Sequence, residues 1–262
     1  MEMSVFTGRK KQWLSIAIVT LLVLLTALFF LHRRVQDHSG VLWKFVSQQC
    51  VPDMEKNNNP APCKKVDMAG GYVLFKDLVG PLQYLLMPVN RITGIESPLL
   101  LKPETPHFFL AAWRERHLLS ETYHAPIPDD DLAMTINSAS GRSQNQLHIH
   151  MSCLRPDIAA QLAKSSSGFG PEWQKITLLS HPYQVRTLSQ QELEQESVFI
   201  RVAHEIPGAS GHMGDYGLAL TALPDGRLVL LAVKAALLKG NTGSAEELQD
   251  HQCSILKTVS GA

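Results

Sequence analysis

The 262-residue sequence carries no excess charge of either sign: Lys and Arg together number 24, and so do Asp and Glu. It therefore lacks the broad basic field that nucleic-acid binding needs, and nucleic acid is not an expected partner. Cysteine is sparse. Only Cys50, Cys63, Cys153 and Cys253 occur, at spacings that match no zinc knuckle. The zinc-protease HExxH motif is missing too, because the fourth residue after His204 is Gly208. The Gly-containing stretch 207–214 (PGASGHMG) lacks the Lys and the strand–loop–helix setting of a phosphate loop, and reads as a linker. No internal repeat shows in the sequence.

What is present begins with an apolar run. Trp13 to Leu31 holds 19 residues without a charge. As a helix it is roughly 28 Å long, close to the hydrocarbon thickness of a bilayer. Arg9, Lys10 and Lys11 precede it, and Arg33 and Arg34 follow. The run predicts one N-terminal transmembrane anchor with residues 1–12 cytoplasmic and the rest exported. A cleaved signal peptide is the competing reading, but no small-x-small site precedes His32. An exported domain permits disulfides. Four cysteines allow three full pairings, or they stay as free buried thiols; sequence does not choose.

The remaining chain reads as strands and helices without regular βαβ alternation, an α+β pattern. Residues 32–66 form a connector and a polar loop. Strands are expected at 72–75, 83–89, 133–137 and 146–153, with a helix over 106–122 between the second and third. Arg114, Glu115, Arg116 and His117 of that helix read as a solvated face. Asp157 starts a helix over 157–164. Ser189-x-x-Glu192 is a capping box before a helix running to about Glu205. Pro224-Asp225-Gly226 joins a hairpin over 216–223 and 228–234. Ser244-x-x-Glu247 caps a last helix.

The stretch 146–153, QLHIHMSC, alternates strictly. Leu147, Ile149, Met151 and Cys153 share one strand face; Gln146, His148, His150 and Ser152 share the other. A row of imidazoles and a hydroxyl is costly to bury without partners, so this face belongs at a cleft. Three readings compete. The histidines are zinc ligands with a third from His204, His212 or Asp215. Or one histidine is a nucleophile toward phosphorus. Or both are structural.

The flanks favour the nucleophile. His148 follows Asn137 by 11 positions and Gln144 by four, across a Gly-containing loop. This resembles the histidine-triad hydrolases and transferases, whose pattern is strand, Asn, loop, Gln, then His-x-His-x-His. The run QYLLMPVNRI at 83–92 is similar to the family's upstream strand and apolar-Pro-x-x-basic-Ile segment. The resemblance spans about residues 70–156 and implies an antiparallel sheet with helices. The third triad position here is Ser152. The spacing aligns His150 with the family's middle histidine, the nucleophile. A rival register makes Gln146 first and His148 the nucleophile, at the expense of both spacings.

The resemblance implies that His150 attacks a nucleotide α-phosphorus and that water hydrolyses the nucleotidyl-histidine. His148 then supports the phosphate site and Ser152 donates to a phosphate oxygen. Asn137 and Gln144 position phosphate or water, and Asp77 accepts from a ribose hydroxyl. The chemistry requires no metal and no cofactor. With the anchor and a long C-terminal extension, the arrangement looks like the bacterial CDP-diacylglycerol pyrophosphatase family. That implies a single-pass inner-membrane hydrolase with a periplasmic catalytic domain, acting on a lipid nucleotide to give CMP and phosphatidate. The expected organisation is an anchor at 13–31, a histidine-triad-like core at 67–164 and an α+β extension at 165–262 packed on it. A zinc-dependent periplasmic hydrolase and a non-catalytic periplasmic binding protein are the alternatives. Base preference, acceptor and oligomeric state are open.

Overall fold

The computed structural model describes residues 13–14, 16–27 and 39–257. The chain divides into two compact units, Met1–Val41 and Leu42–Ala262. In the first, residues 13, 14 and 16–27 are helical and exposed. This corrects the expected fold class and localisation. Among the described residues no helix is long and apolar enough to cross a membrane. The expected transmembrane helix, and the single-pass inner-membrane placement inferred from it, are not supported. Residues 28–31 of that run and its flanking Arg9, Lys10, Lys11, Arg33 and Arg34 lie outside the described residues.

The second unit is built on a sheet of nine strands. They are β1 (Lys65–Asp67), β2 (Tyr72–Lys76), β3 (Tyr84–Pro88), β4 (Leu132–Ile136), β5 (Ile149–Cys153), β6 (Gln174–Leu178), β7 (His181–Leu188), β8 (Tyr216–Ala222) and β9 (Leu228–Lys234). Their spatial order is β1-β2-β3-β5-β4-β8-β9-β7-β6. Every neighbouring pair is antiparallel. The hairpin β8–β9 turns at Gly226, whose φ of 84° suits a residue without Cβ. The hairpin β6–β7 is not among the strands expected from sequence. Its outer strand is an edge with four of five residues exposed or half-exposed, so it carries little apolar alternation.

The helices are α1 (Val41–Phe45), α2 (Val51–Asn57), α3 (Phe108–Arg114), α4 (His117–Tyr123), α5 (Pro156–Ser165), α6 (Gln190–Gln195) and α7 (Val198–Glu205). The single helix expected over 106–122 is two. Glu115 leaves the helix with ψ near 0° and buries its carboxylate, accepting from the Tyr72 hydroxyl at 2.6 Å. The expected solvated face is thus broken at that residue. The capping box at Ser189 and Glu192 is present. The helix it starts stops at Glu196, which is extended, before α7 begins.

One face of the sheet is covered by α3, α4, α6 and α7. Phe109, Trp113, Leu119, Leu193 and Phe199 pack there on Leu86, Met134, Ile149, Leu220 and Leu230. The opposite face carries two separate apolar clusters. Leu42, Val46, Val73, Phe75, Leu85 and Met87 form one over β2 and β3. Ile158 and Leu162 of α5 join Val185, Ala219 and Leu231 in the other. Paired residues point to the same side. The register therefore draws one row across this face: Phe75, Leu85, His150, Thr135, Ala219, Leu231, Val185, Gln174. His150 and Thr135 sit where the two apolar clusters leave a gap.

Two disulfides settle the cysteine pairing: Cys50 with Cys63, and Cys153 with Cys253. The second joins β5 to the C-terminal segment 100 residues later. That segment crosses the sheet closely. A Cβ on Gly217 would lie 2.2 Å from the Gly243 carbonyl oxygen, so only glycine permits this crossing.

Candidate active site

The alternating strand buries both of its faces. Ile149, Met151 and Cys153 enter the helix-covered core. His148, His150 and Ser152 are buried on the other side. The two imidazole centroids are 4.8 Å apart, edge to face. Burial removes water that would solvate an imidazolium, so His148 is held below the ordinary histidine value. Burial, and then the neighbouring His148, pull His150 down to about 3. Both rings are neutral at neutral pH, the state a nitrogen nucleophile requires.

Each ring is held differently. His148 Nδ1 is 2.7 Å from the carbonyl oxygen of Gln146. A carbonyl only accepts, so Nδ1 carries the proton and Nε2 keeps a lone pair. The Gln146 side chain anchors this carbonyl's neighbourhood by donating to the carbonyls of Pro88 and Asn90 at 3.0 and 3.1 Å. His150 Nδ1 instead faces Gln83 Nε2 at 3.2 Å, and its Nε2 lies 3.3 Å from Glu246 Oε2. Ser152 Oγ is buried with no hydrogen-bond partner among the described residues.

The C-terminal segment completes the site. Glu246 meets Asn137 Nδ2 at 2.8 Å and His251 Nε2 at 3.0 Å. Burial alone would raise its pKa. The His251 hydrogen bond, His150 and the Asn137 amide outweigh burial and hold Glu246 down to about 2. Asn137 Oδ1 accepts from the Ser244 hydroxyl at 2.9 Å and from the Glu246 backbone N–H at 3.1 Å. Ser244 is thereby diverted from capping, and the expected last helix is a single 3-10 turn, Ala245–Leu248. Gln249 Nε2 donates to the carbonyls of Ala133 and His150 at 2.6 and 3.1 Å.

The site residues read from sequence thus occupy different stations. His148, His150 and Ser152 share one face, and Asn137 joins His150 through Glu246. Asp77 Oδ2 accepts from Gln83 Nε2 at 2.8 Å, one side chain removed from His150. Gln144 Oε1 accepts from the Leu42 backbone N–H at 3.3 Å, at the start of the N-terminal cover.

The family described as CDP-diacylglycerol pyrophosphatase matches residues 37–257. The chain belongs to that family. A relative from Yersinia pestis, itself named CDP-diacylglycerol pyrophosphatase, is 44% identical over 251 residues, covering 95% of this chain and 97% of its own. Membership in the CDP-diacylglycerol pyrophosphatase family makes the chain a hydrolase.

For this CDP-diacylglycerol pyrophosphatase family member, sequence reasoning passes over Gln83, Glu246, Gln249 and His251. Three of these lie about 100 residues beyond the histidine strand, at no motif spacing. The available signal is Cys253, two residues after His251, whose partner Cys153 ends the histidine strand. The zinc reading gains no third ligand. Among the described residues no group of three or more His, Cys, Asp or Glu could hold a metal ion. His204 and His212 instead face Glu196 and Asp215, at 3.9 and 3.8 Å. A cavity of about 530 Å³ is lined by Arg155, Gln249, Asp250 and His251 among others. A larger one of about 680 Å³, at Trp113, Arg116 and Asp129, touches none of the site residues. Its Arg116–Asp129 pair is already closed at 2.6 Å.

Proposed function

We propose that the protein hydrolyses the pyrophosphate bond of CDP-diacylglycerol to CMP and phosphatidate through a nucleotidyl-histidine. The observation that carries this reading is the His148 ring, with its Nδ1 proton held by the Gln146 carbonyl at 2.7 Å and Nε2 left as a lone pair. Nε2 attacks the α-phosphorus of the cytidylyl group. A P–N bond forms, and the P–O bond to phosphatidate breaks with its electron pair on the leaving oxygen. The ring becomes cationic as it bonds, and the Gln146 carbonyl on Nδ1–H stabilises that charge. A phosphate monoester is a good leaving group and needs little protonation. Water then attacks phosphorus and releases a proton to solvent, the P–N bond breaks with its electron pair on Nε2, and CMP leaves with neutral His148 restored.

This assignment differs from the spacing, which points to His150. His150 Nδ1 has no backbone carbonyl, and its Nε2 faces a carboxylate. Ser152 Oγ, buried and without a partner among the described residues, is a donor awaiting an acceptor such as a phosphoryl oxygen.

The test is incubation of purified protein with CDP-diacylglycerol and quantification of CMP. His148→Ala is expected to lower kcat by at least about a thousandfold, the scale of a lost nucleophile. His150→Ala is expected to keep measurable turnover. Full activity in His148→Ala with loss in His150→Ala would return the nucleophile to His150.

A further inference from the structure

We infer that Asp77 is a positioning residue: through Gln83 it fixes His150 with its proton on Nε2, the tautomer opposite to that of His148. The inference rests on the reading of His148 as the nucleophile.

The argument starts from Gln83, whose side chain is 1% exposed. Its Nε2 lies 2.8 Å from Asp77 Oδ2 and 3.2 Å from His150 Nδ1. A carboxylate can only accept, so the amide must turn its nitrogen toward Asp77. The opposite amide orientation would set Gln83 Oε1 against Asp77 Oδ2, two acceptors in contact. The orientation adopted has a cost, since Gln83 Oε1 is buried with no partner among the described residues. The carboxylate therefore dictates it. An amide nitrogen carries two protons. One goes to Asp77, and the other points to His150 Nδ1, which must accept. The remaining imidazole proton then sits on Nε2.

The far side of the ring is unpaired. His150 Nε2 is buried with no hydrogen-bond partner among the described residues, and Glu246 Oε2 lies 3.3 Å away without hydrogen-bond geometry. His148 and His251 are the other titratable neighbours, and both depress protonation of His150. The ring therefore stays neutral, and its tautomer is a defined quantity. The turn that delivers Asp77 is built for this contact. The Asp77 backbone N–H donates to the Gln83 carbonyl at 3.1 Å, closing the loop between β2 and β3. Gly80 in that loop has φ 67°, and a Cβ there would lie 2.1 Å from the His251 carbonyl oxygen.

One strand face thus presents two imidazoles in opposite states. His148 Nε2 offers a lone pair to phosphorus. His150 Nε2–H offers a proton to a phosphoryl oxygen as charge develops there. In the other tautomer, His150 would aim a lone pair at that oxygen and repel it. Asp77 acts on the reaction through two intermediaries and needs no contact with the substrate.

The test combines nitrogen-15 histidine NMR with kinetics on the full chain, the His150 signals being assigned from the His150→Gln spectrum. Wild type is expected to show the His150 proton on Nε2. In Asp77→Asn, Gln83 is free to turn over, so the His150 tautomers should mix. kcat should fall roughly 10- to 100-fold, the range for outer groups that orient a histidine, with KM for CDP-diacylglycerol changed less than about twofold. A wild-type proton on Nδ1 overturns the inference whatever the variants do. So does Asp77→Asn with an unchanged tautomer, and a raised KM with kcat retained would make Asp77 a substrate ligand instead. A shifted tautomer with normal kcat removes its role in turnover. Full activity in His148→Ala defeats the nucleophile assignment separately, because the tautomer is read without substrate.

Discussion

The sheet has two halves of the same topology, and only one carries chemistry. In the first half the hairpin β2–β3 leads through two short helices to β4 and β5. In the second the hairpin β6–β7 leads through two short helices to β8 and β9. The halves meet where β4 pairs with β8, and the strand order mirrors outward from there. Along the cross-sheet row, His150 corresponds to Leu231, two strands from the junction on either side. Counting along each strand, His148 and Ser152 correspond to Val229 and Val233. One half has two imidazoles and a hydroxyl on this face. The other has three apolar side chains sealed by Ile158 and Leu162 of α5. The same backbone frame can hold either a cleft or a core, and the side chains of one strand face mark the difference.

The largest expected contrast after His148 itself comes from removing the clasp that makes the first half a site. Cys253→Ser opens a loop of 100 residues, worth up to about 4.7 kcal/mol in the chain-entropy account. The segment bearing Glu246, Gln249 and His251 then loses its covalent tie to the histidine strand. Urea unfolding should show the loss of stability, and kcat should fall even where the protein remains folded. Unchanged kcat in folded protein would mean the segment only covers the site.

A smaller and purely structural effect is expected in the second half. Leu231 is fully buried, and Leu231→Ala should cost about 2–5 kcal/mol of stability through the cavity it leaves. Turnover per folded molecule should stay at the wild-type level. A selective loss of kcat would show that the apolar half shapes the site.

The gentlest probe is pH. His150 is pulled from 6.5 to about 3 in the folded protein, so below pH 6.5 the unfolded chain binds a proton that the folded one refuses. Stability should therefore fall as pH drops from about 6.5 toward 3. Glu246, held down from 4.5 to about 2, contributes stability above 4.5 that is lost as pH falls through 2. Denaturation midpoints measured between pH 7 and 5 should slope in wild type and become shallower in His150→Gln, the remainder belonging to His148, whose burial also holds it below its ordinary value. An equal slope in the variant would assign it to groups other than His150.

Much of this was legible along the chain because it depends on local pattern. Alternation at 146–153 placed two histidines on one strand face. Ser189 and Glu192 announced a helix start, and Pro224-Asp225-Gly226 announced the β8–β9 hairpin. Hydropathy predicted a span at 13–31, and among the described residues no helix is long and apolar enough to cross a membrane. Helical spacing misled at Glu115, where a buried hydrogen bond to Tyr72 ends the helix. The repeated topology left no trace in the sequence, because strand order needs only apolar faces and turns, which many sequences supply.

By itself the sequence determined the family resemblance, the alternating strand and the pair of histidines on its polar face. Only the fold put the Gln146 carbonyl against His148 Nδ1 and the Gln83 amide against His150 Nδ1. It also decided that Glu246 and His251, about 100 residues away, belong to the site. The physical reason is range: side-chain alternation repeats every two residues, whereas a hydrogen bond between distant segments exists only once the sheet, the clasp and the crossing at Gly217 bring them together.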